Sequence, residues 1–205
     1  MLTVFPGKVA MIGLLVSGLS LLGPFGDARA EVDGLCNGSR ATIVMTEPGT
    51  VRGTSGRDVI EGSEGDDVIY GLGGNDVICG NAGVDVIDGG TGNDQIIGEV
   101  VFEDGANDVL RGGAGNDILD DFFGTNDLDG GPGDDVVRGR GTLRGGAGND
   151  EIDAFGEGTA LFGGSGSDLL IGSRVAPQPF DGGSGQDRCH FVASNKAKSC
   201  ETLFK

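Results

Sequence analysis

The 205-residue chain has no tryptophan, one tyrosine, one histidine and only 14 lysines and arginines. Each scarcity closes off a class of function. With aromatics at 5%, few large side chains are available for a close-packed interior, so a conventional globular core is not expected, although the length would suffice for one domain. Too few cations are present to neutralise phosphates and release their counterions, which excludes nucleic acid as the natural partner. His190 stands alone and no CxxC occurs, so a zinc site lacks ligands. HExxH, GxSxG and Gly-Lys-Ser/Thr are all absent, so the common metalloprotease, serine-hydrolase and phosphate-loop chemistries have no carrier.

What is abundant is glycine, with 43 residues, and acid, with 32 Asp and Glu and a net charge of −18. Ordinary usage is roughly 7% glycine. Cations are the natural partners of such a surface. The start of the chain reads differently: Lys8 precedes an apolar stretch at residues 9–22, and Ala28-Arg29-Ala30 follows as an A-x-A pattern. This predicts a secretory signal peptide over residues 1–30, because the stretch is shorter than the ~18 to 20 residues that span a bilayer. No later segment is apolar enough to span, so no membrane span is expected in the mature chain.

From Gly53 the chain is periodic in nines: GTSGRDVIE, GSEGDDVIY, GLGGNDVIC, GNAGVDVID and GGTGNDQII. Asp58, Asp67, Asp76, Asp85 and Asp94 therefore fall nine residues apart. Glycines at positions 1, 2 and 4 permit positive φ and close backbone approach, so a six-residue loop can turn sharply and aim carbonyls at one point. Aspartate at position 6 adds a charged oxygen, and carboxylate and carbonyl oxygens are the ligands of a hard cation such as Ca²⁺. One loop alone offers too few. The last three residues alternate as a short strand with position 8 inward. Strands that short must stack on neighbours.

The GGxGxDxUx pattern, with U large and apolar, is a known calcium-binding repeat signature, and the chain closely resembles the RTX, or hemolysin-type, calcium-binding repeat family. That resemblance implies an all-β, right-handed parallel β-roll, a β-solenoid in which two nonapeptides make one turn. Alternate loops then stack along opposite edges, and each ion is held between loops n and n+2. Family members also carry the repeats as modules beside proteases, lipases and toxins. Here repeats fill residues 53–190, which leaves no room for a catalytic domain, so the protein is expected not to be an enzyme.

Numbered by loop, the metal ligands the resemblance implies are Asp58 (1), Asp67 (2), Asp76 (3), Asp85 (4), Asp94 (5), Asp108 (6), Asp117 (7), Asp135 (9), Asp150 (11), Asp168 (13) and Asp187 (15). The irregular loops share a parity. Loop 6 has five extra residues around 99–106, loop 8 has Asn126 at the ligand position, and loop 10 shrinks to 139–144. Loop 12 has Thr159 at that position, and loop 14 (172–181) carries Pro177 and Pro179. The odd edge thus keeps eight aspartates and seven between-loop sites. The even edge keeps one regular site between Asp67 and Asp85 and an irregular one at Asp108. About eight calcium ions are expected.

The inward positions are Ile60, Ile69, Ile78, Ile87, Ile96, Leu110, Leu119, Leu128, Val137, Leu143, Ile152, Leu161 and Leu170. A single file of aliphatic side chains is thin against the entropy of ordering a glycine-rich chain, and carboxylates stacked on one edge repel. Calcium is expected to supply the difference, so that the chain folds on binding it. Four cysteines predict two disulfides. The simplest pairing is Cys189 with Cys200 and Cys36 with Cys79, bridges expected to close the two ends of the roll. Residues 31–52 and 191–205 are expected to cap it, with 41–45 as a first covering strand. The functional expectation is a secreted, extracellular calcium-binding repeat protein. The alternative is an adhesive or matrix protein with a cell-surface or polysaccharide partner, in which calcium is purely structural.

Overall fold

The structure, a computed structural model, describes residues 35–99, 105–172, 179–190, 197–200 and 202–204. The signal-peptide segment at residues 1–30 lies outside the described residues, as do Pro177 of loop 14 and most of the five-residue insertion of loop 6. Those described fall in one compact unit, Val32–Lys205. They contain strands, turns and bends but no helix.

The architecture is a parallel β-solenoid of about eight turns. Each aspartate loop delivers one short strand, and successive strands alternate between two faces. On the face after the odd loops, β5 (Val59–Glu61), β7 (Val77–Cys79) and β9 (Gln95–Ile97) pair in parallel, with Ile60, Ile78 and Ile96 in register. The file continues through β11 (Ile118–Pro132), β12 (Val136–Ala147), β13 (Glu151–Ala154), β15 (Leu169–Ile171) and β17 (Arg188–His190). On the face after the even loops, β6 (Val68–Tyr70), β8 (Val86–Thr91) and β10 (Val109–Ala114) run on into the second halves of β11 and β12. From there the file passes to β14 (Ala160–Gly166) and β16 (Phe180–Gly185). β11 and β12 are long because loops 8 and 10 stay extended enough to pair throughout, with one register shift between Asp121 and Asn126.

All thirteen inward positions expected from the repeat are fully buried. Three-residue strands have one central residue, and alternation sends it inward while its neighbours face out. Phe180 and Cys189 extend the same file toward the C-terminal end. The stack also reaches past the periodic region. Before it, β3 (Ile43–Val44) pairs with β5 and β4 (Thr50–Arg52) with β6, so Ile43 and Val51 pack on the core. After it, β18 (Ala197–Lys198) pairs with β16 and β19 (Thr202–Phe204) with β17.

Both disulfides form as paired by simplicity, but only one lies at an end. Cys189 occupies an inward position 8 and is fully buried, so its bridge to Cys200 plugs the end of the core. Cys79 is at position 9, which points outward. The bridge to Cys36 therefore lies on the outer side of the odd face, where it fastens the hairpin of β1 (Leu35–Cys36) and β2 (Ser39–Arg40). Cys36, Val59, Val77 and Cys79 form a second small core beneath it. The hairpin turns at Asn37-Gly38 with φ of 48° and 75°, the positive pair that Asn-Gly accommodates in a two-residue turn.

Candidate calcium-binding loops

The loops follow from the glycines, though not all glycines act alike. From loop 3 on, positions 2 and 4 of the regular loops hold the left-handed conformation, as at Gly90 (φ 103°) and Gly92 (φ 119°), where L side chains are disfavoured. Position 1 does not need positive φ. It needs space: a Cβ on Gly53 would lie 2.6 Å from the Gly71 carbonyl oxygen and 2.8 Å from Asp58 Oδ2. The same two groups, a position-6 carboxylate and the position-1 carbonyl of the next layer, meet over Gly71, Gly89, Gly112, Gly130 and Gly163 on the odd edge and over Gly62 and Gly80 on the even edge.

Each position-6 carboxylate has two distinct oxygens. Oδ1 accepts a hydrogen bond from the main-chain N–H of the aspartate one layer earlier. Along the odd edge Asp58 donates to Asp76 (2.8 Å), Asp76 to Asp94 (2.8 Å), Asp94 to Asp117 (2.7 Å) and Asp117 to Asp135 (2.7 Å). Asp135 then donates to Asp150 (2.9 Å), Asp150 to Asp168 (2.9 Å) and Asp168 to Asp187 (3.0 Å). Most rungs join residues 18 apart. The rung across the loop 6 insertion spans 23, the one across shortened loop 10 spans 15, and the one across loop 14 spans 19. Length changes in even loops are thus absorbed without breaking the odd ladder.

The even ladder is less uniform. Gly49 N–H donates to Asp67 (2.8 Å), Asp67 to Asp85 (2.9 Å) and Asp85 to Asp108 (2.9 Å). Asp108 donates to Asn126 Oδ1 (2.9 Å), and Gly141 to Thr159 Oγ1 (3.4 Å). Asn126 and Thr159 therefore keep the rung but carry no charge. A second ladder, which the sequence reading missed, runs at position 5 in the opposite sense. Asn93 N–H donates to Asn75 Oδ1 (2.9 Å), Asn116 to Asn93 (2.9 Å), Asp134 to Asn116 (3.1 Å) and Asn149 to Asp134 (2.7 Å). Its signal was the recurrence of Asn or Asp just before the position-6 aspartate.

Oδ2 has a different fate. Among the described residues, Oδ2 of Asp76, Asp85, Asp94, Asp117, Asp135, Asp150 and Asp168 is buried without a hydrogen-bond donor. A buried carboxylate oxygen without a partner is costly. Burial is the largest influence on these groups. It pushes Asp76, Asp94 and Asp150 up to about 6, Asp135 to about 7 and Asp85 to about 8, against the lowering effect of the N–H bond, while neighbouring carboxylates push the same way as burial. The first loop on each edge is closed differently. Asp58 Oδ2 accepts from Thr54 N–H (2.6 Å) and Oγ1 (2.9 Å), and Asp67 Oδ2 from Ser63 N–H (2.6 Å) and Oγ (2.9 Å).

These oxygens fit a hard divalent cation. The donors are one carboxylate and main-chain carbonyls between adjacent layers, a mixed oxygen set of the kind Ca²⁺ takes. Among the described residues no three His, Cys, Asp or Glu side chains form a metal-holding group.

A parallel β-solenoid with stacked Gly-Asp loops of this form is a calcium-binding repeat architecture. The sequence matches the RTX calcium-binding nonapeptide repeat (4 copies) over residues 52–87, 80–100, 104–137, 138–156 and 160–174. The matches cover more than half of the chain, which belongs to that family. No curated protein matches it. RTX repeats bind calcium and are structural, and proteins that carry them are typically extracellular. The two disulfides fit an oxidising environment. No helix among the described residues is long and apolar enough to cross a membrane.

Proposed function

We propose that the protein is a secreted, non-enzymatic calcium-binding repeat protein whose roll folds as ions fill the spaces between layers. The observation that carries this reading is the column of buried Oδ2 atoms without donors, most of them meeting the position-1 glycine carbonyl of the next layer. Without a cation, those carboxylates would be desolvated beside one another, and the calcium-free roll would be unstable at neutral pH. The proposed ligands are Asp58, Asp67, Asp76, Asp85, Asp94, Asp108, Asp117, Asp135, Asp150, Asp168 and Asp187. They make seven between-layer sites on the odd edge and at least one on the even edge, about eight ions in all. Eight divalent ions would offset most of the net charge of −18.

Extracellular calcium modules commonly bind at ~10⁻⁴ to 10⁻³ M. A site of 10⁻⁴ M in 1 mM ion adds about 1.4 kcal/mol by mass action, so several together suffice to fold a marginal domain. The N-terminal A-x-A pattern and both disulfides support export. Calorimetric titration of the mature protein with Ca²⁺, followed in parallel by circular dichroism, tests the reading. A cooperative gain of β structure at submillimolar to millimolar calcium is expected. A β spectrum unchanged from chelator to saturation would refute coupled folding.

A further inference from the structure

On the even edge the layer between loops 6 and 8 departs from all others. Position 1 of loop 8 is Asp121, where every odd loop has glycine. Its main chain keeps the layer in place: Asp121 pairs with Gly139, and Gly98 N–H donates to the Asp120 carbonyl at 3.1 Å. Its side chain turns back into the preceding layer. Over Gly98 the two groups that meet are not a carboxylate and a glycine carbonyl. They are Oδ2 of Asp108 and Oδ2 of Asp121, the latter with its Cγ 2.7 Å from the point a Gly98 Cβ would occupy.

Asp121 is fully buried. Its Oδ1 accepts a long bond from Phe123 N–H (3.4 Å), and its Oδ2 meets no N–H donor and lies against the Asp108 carboxyl. Asp108 is buried with its Oδ1 on the Asp85 N–H, and Glu99, a third buried acid, contributes negative charge beside Asp121. Thus the place that holds one carboxylate and one carbonyl in the odd column holds two carboxylates here, with a third acid near. The loop 6 insertion supplies Glu99, and the loss of glycine in loop 8 supplies Asp121. Two features that mark these loops as degenerate repeats together concentrate charge at one point.

We infer that Asp108 and Asp121 form a two-carboxylate cation site between loops 6 and 8, which binds Ca²⁺ more tightly than the one-carboxylate sites of the odd edge. The inference rests on the calcium-dependent reading above and extends it to a residue outside the repeat's ligand position. Ligand charge is a principal determinant of calcium affinity, so this site fills first. With Asp85, Asp108 and Asn126 linked through the even ladder, Asp85 N–H to Asp108 Oδ1 and Asp108 N–H to Asn126 Oδ1, an ion there fixes the middle of the edge where loops are otherwise irregular.

The test is calorimetric titration of the full mature chain with Ca²⁺, comparing wild type with Asp121→Asn and Asp121→Gly. The asparagine keeps the shape and removes the charge, whereas the glycine restores the arrangement of the odd layers. Wild type should show one ion in a tight class ahead of the main class. In both variants that class should weaken by about tenfold or more and merge with the rest, with the calcium-loaded circular dichroism spectrum unchanged. A tight class that persists in both variants, or a single uniform class in wild type, overturns the inference, and Asp108 and Asp121 then share a proton. Absence of calcium uptake by wild type would instead overturn the reading of function itself.

Discussion

The main-chain N–H of Asp117 donates to Oδ1 of Asp135 at 2.7 Å, and the other oxygen of Asp135 is buried with no donor. One aspartate thus ties two layers together through the backbone and presents a charge to the gap between them. Structure and ion binding draw on the same side chain, which is why folding and calcium are coupled in the proposed function.

Asp135→Ala removes that rung, worth about 1 kcal/mol, and a carboxylate shared by the sites that loop 9 makes with loops 7 and 11. The folding midpoint should move to higher calcium and the bound count should fall. Thr159→Ala also removes a rung, the bond accepted from Gly141 N–H, so its midpoint should shift too. The position is therefore not silent, as its lack of charge alone would suggest. Its bound count should not change. Counting ions by calorimetry separates the two, and equal losses of ions would sink the proposal that loop 12 holds no ion.

The pH dependence has a definite sign. Asp76, Asp94, Asp135, Asp150 and Asp85 titrate in the fold at about 6 to 8, above the roughly 3.9 of an unfolded aspartate. The calcium-free fold therefore binds more protons than the unfolded chain in that window. Its stability from these groups is full below about pH 4 and is lost as pH rises through 6 to 8. Calcium-stripped protein should gain β signal on acidification from pH 8 to 4, while calcium binding should weaken from pH 8 to 5 as protons compete. Dichroism that is the same at both pH values without calcium would contradict this.

Gly130→Ala tests the crowding at position 1. Its Cβ would lie 2.7 Å from the Gly145 carbonyl oxygen and 2.8 Å from Asp135 Cβ. Overpacking of this kind costs about 1 to 3 kcal/mol, and here it also displaces two oxygens from the inter-layer gap. Thermal melts in saturating calcium should show a clear loss, and a wild-type melting temperature would show that the layers separate more easily than their contacts imply.

Leu72 occupies position 2 of loop 3 with φ 77° and is largely exposed. A leucine there carries roughly 1 to 2 kcal/mol of left-handed strain. Asn81 takes the same conformation one loop later. Leu72→Asn should therefore raise the melting temperature without altering calcium stoichiometry. A lower melting temperature would mean that the exposed leucine makes contacts worth more than its backbone strain.

Reducing the Cys36–Cys79 bridge, or replacing both residues with serine, releases a 43-residue closure, for which about 2 to 4 kcal/mol is typical. It also frees the hairpin over Val59 and Val77. The midpoint should rise with calcium stoichiometry kept, because the hairpin contributes neither a position-1 carbonyl nor a position-6 carboxylate to the loops. Loss of an ion on reduction would place the hairpin within a site.

The nine-residue period alone determined where strands fall and which residues are inward, from Ile60 to Leu170. A three-residue strand has one central position, and alternation leaves it no choice of face. The buried position-6 aspartates and the parity of the irregular loops were legible for the same local reason. What only the tertiary structure decided depends on contacts between residues 15 to 23 positions apart. It decided that Asn126 and Thr159 keep the rungs and that position 5 builds a counter-running ladder. It also sent the Cys36 bridge to the outer face and turned Asp121, one of several acids in an irregular loop, into the gap over Gly98. Stacking sets these partners, and insertions change the spacing in sequence while leaving the spacing between layers untouched.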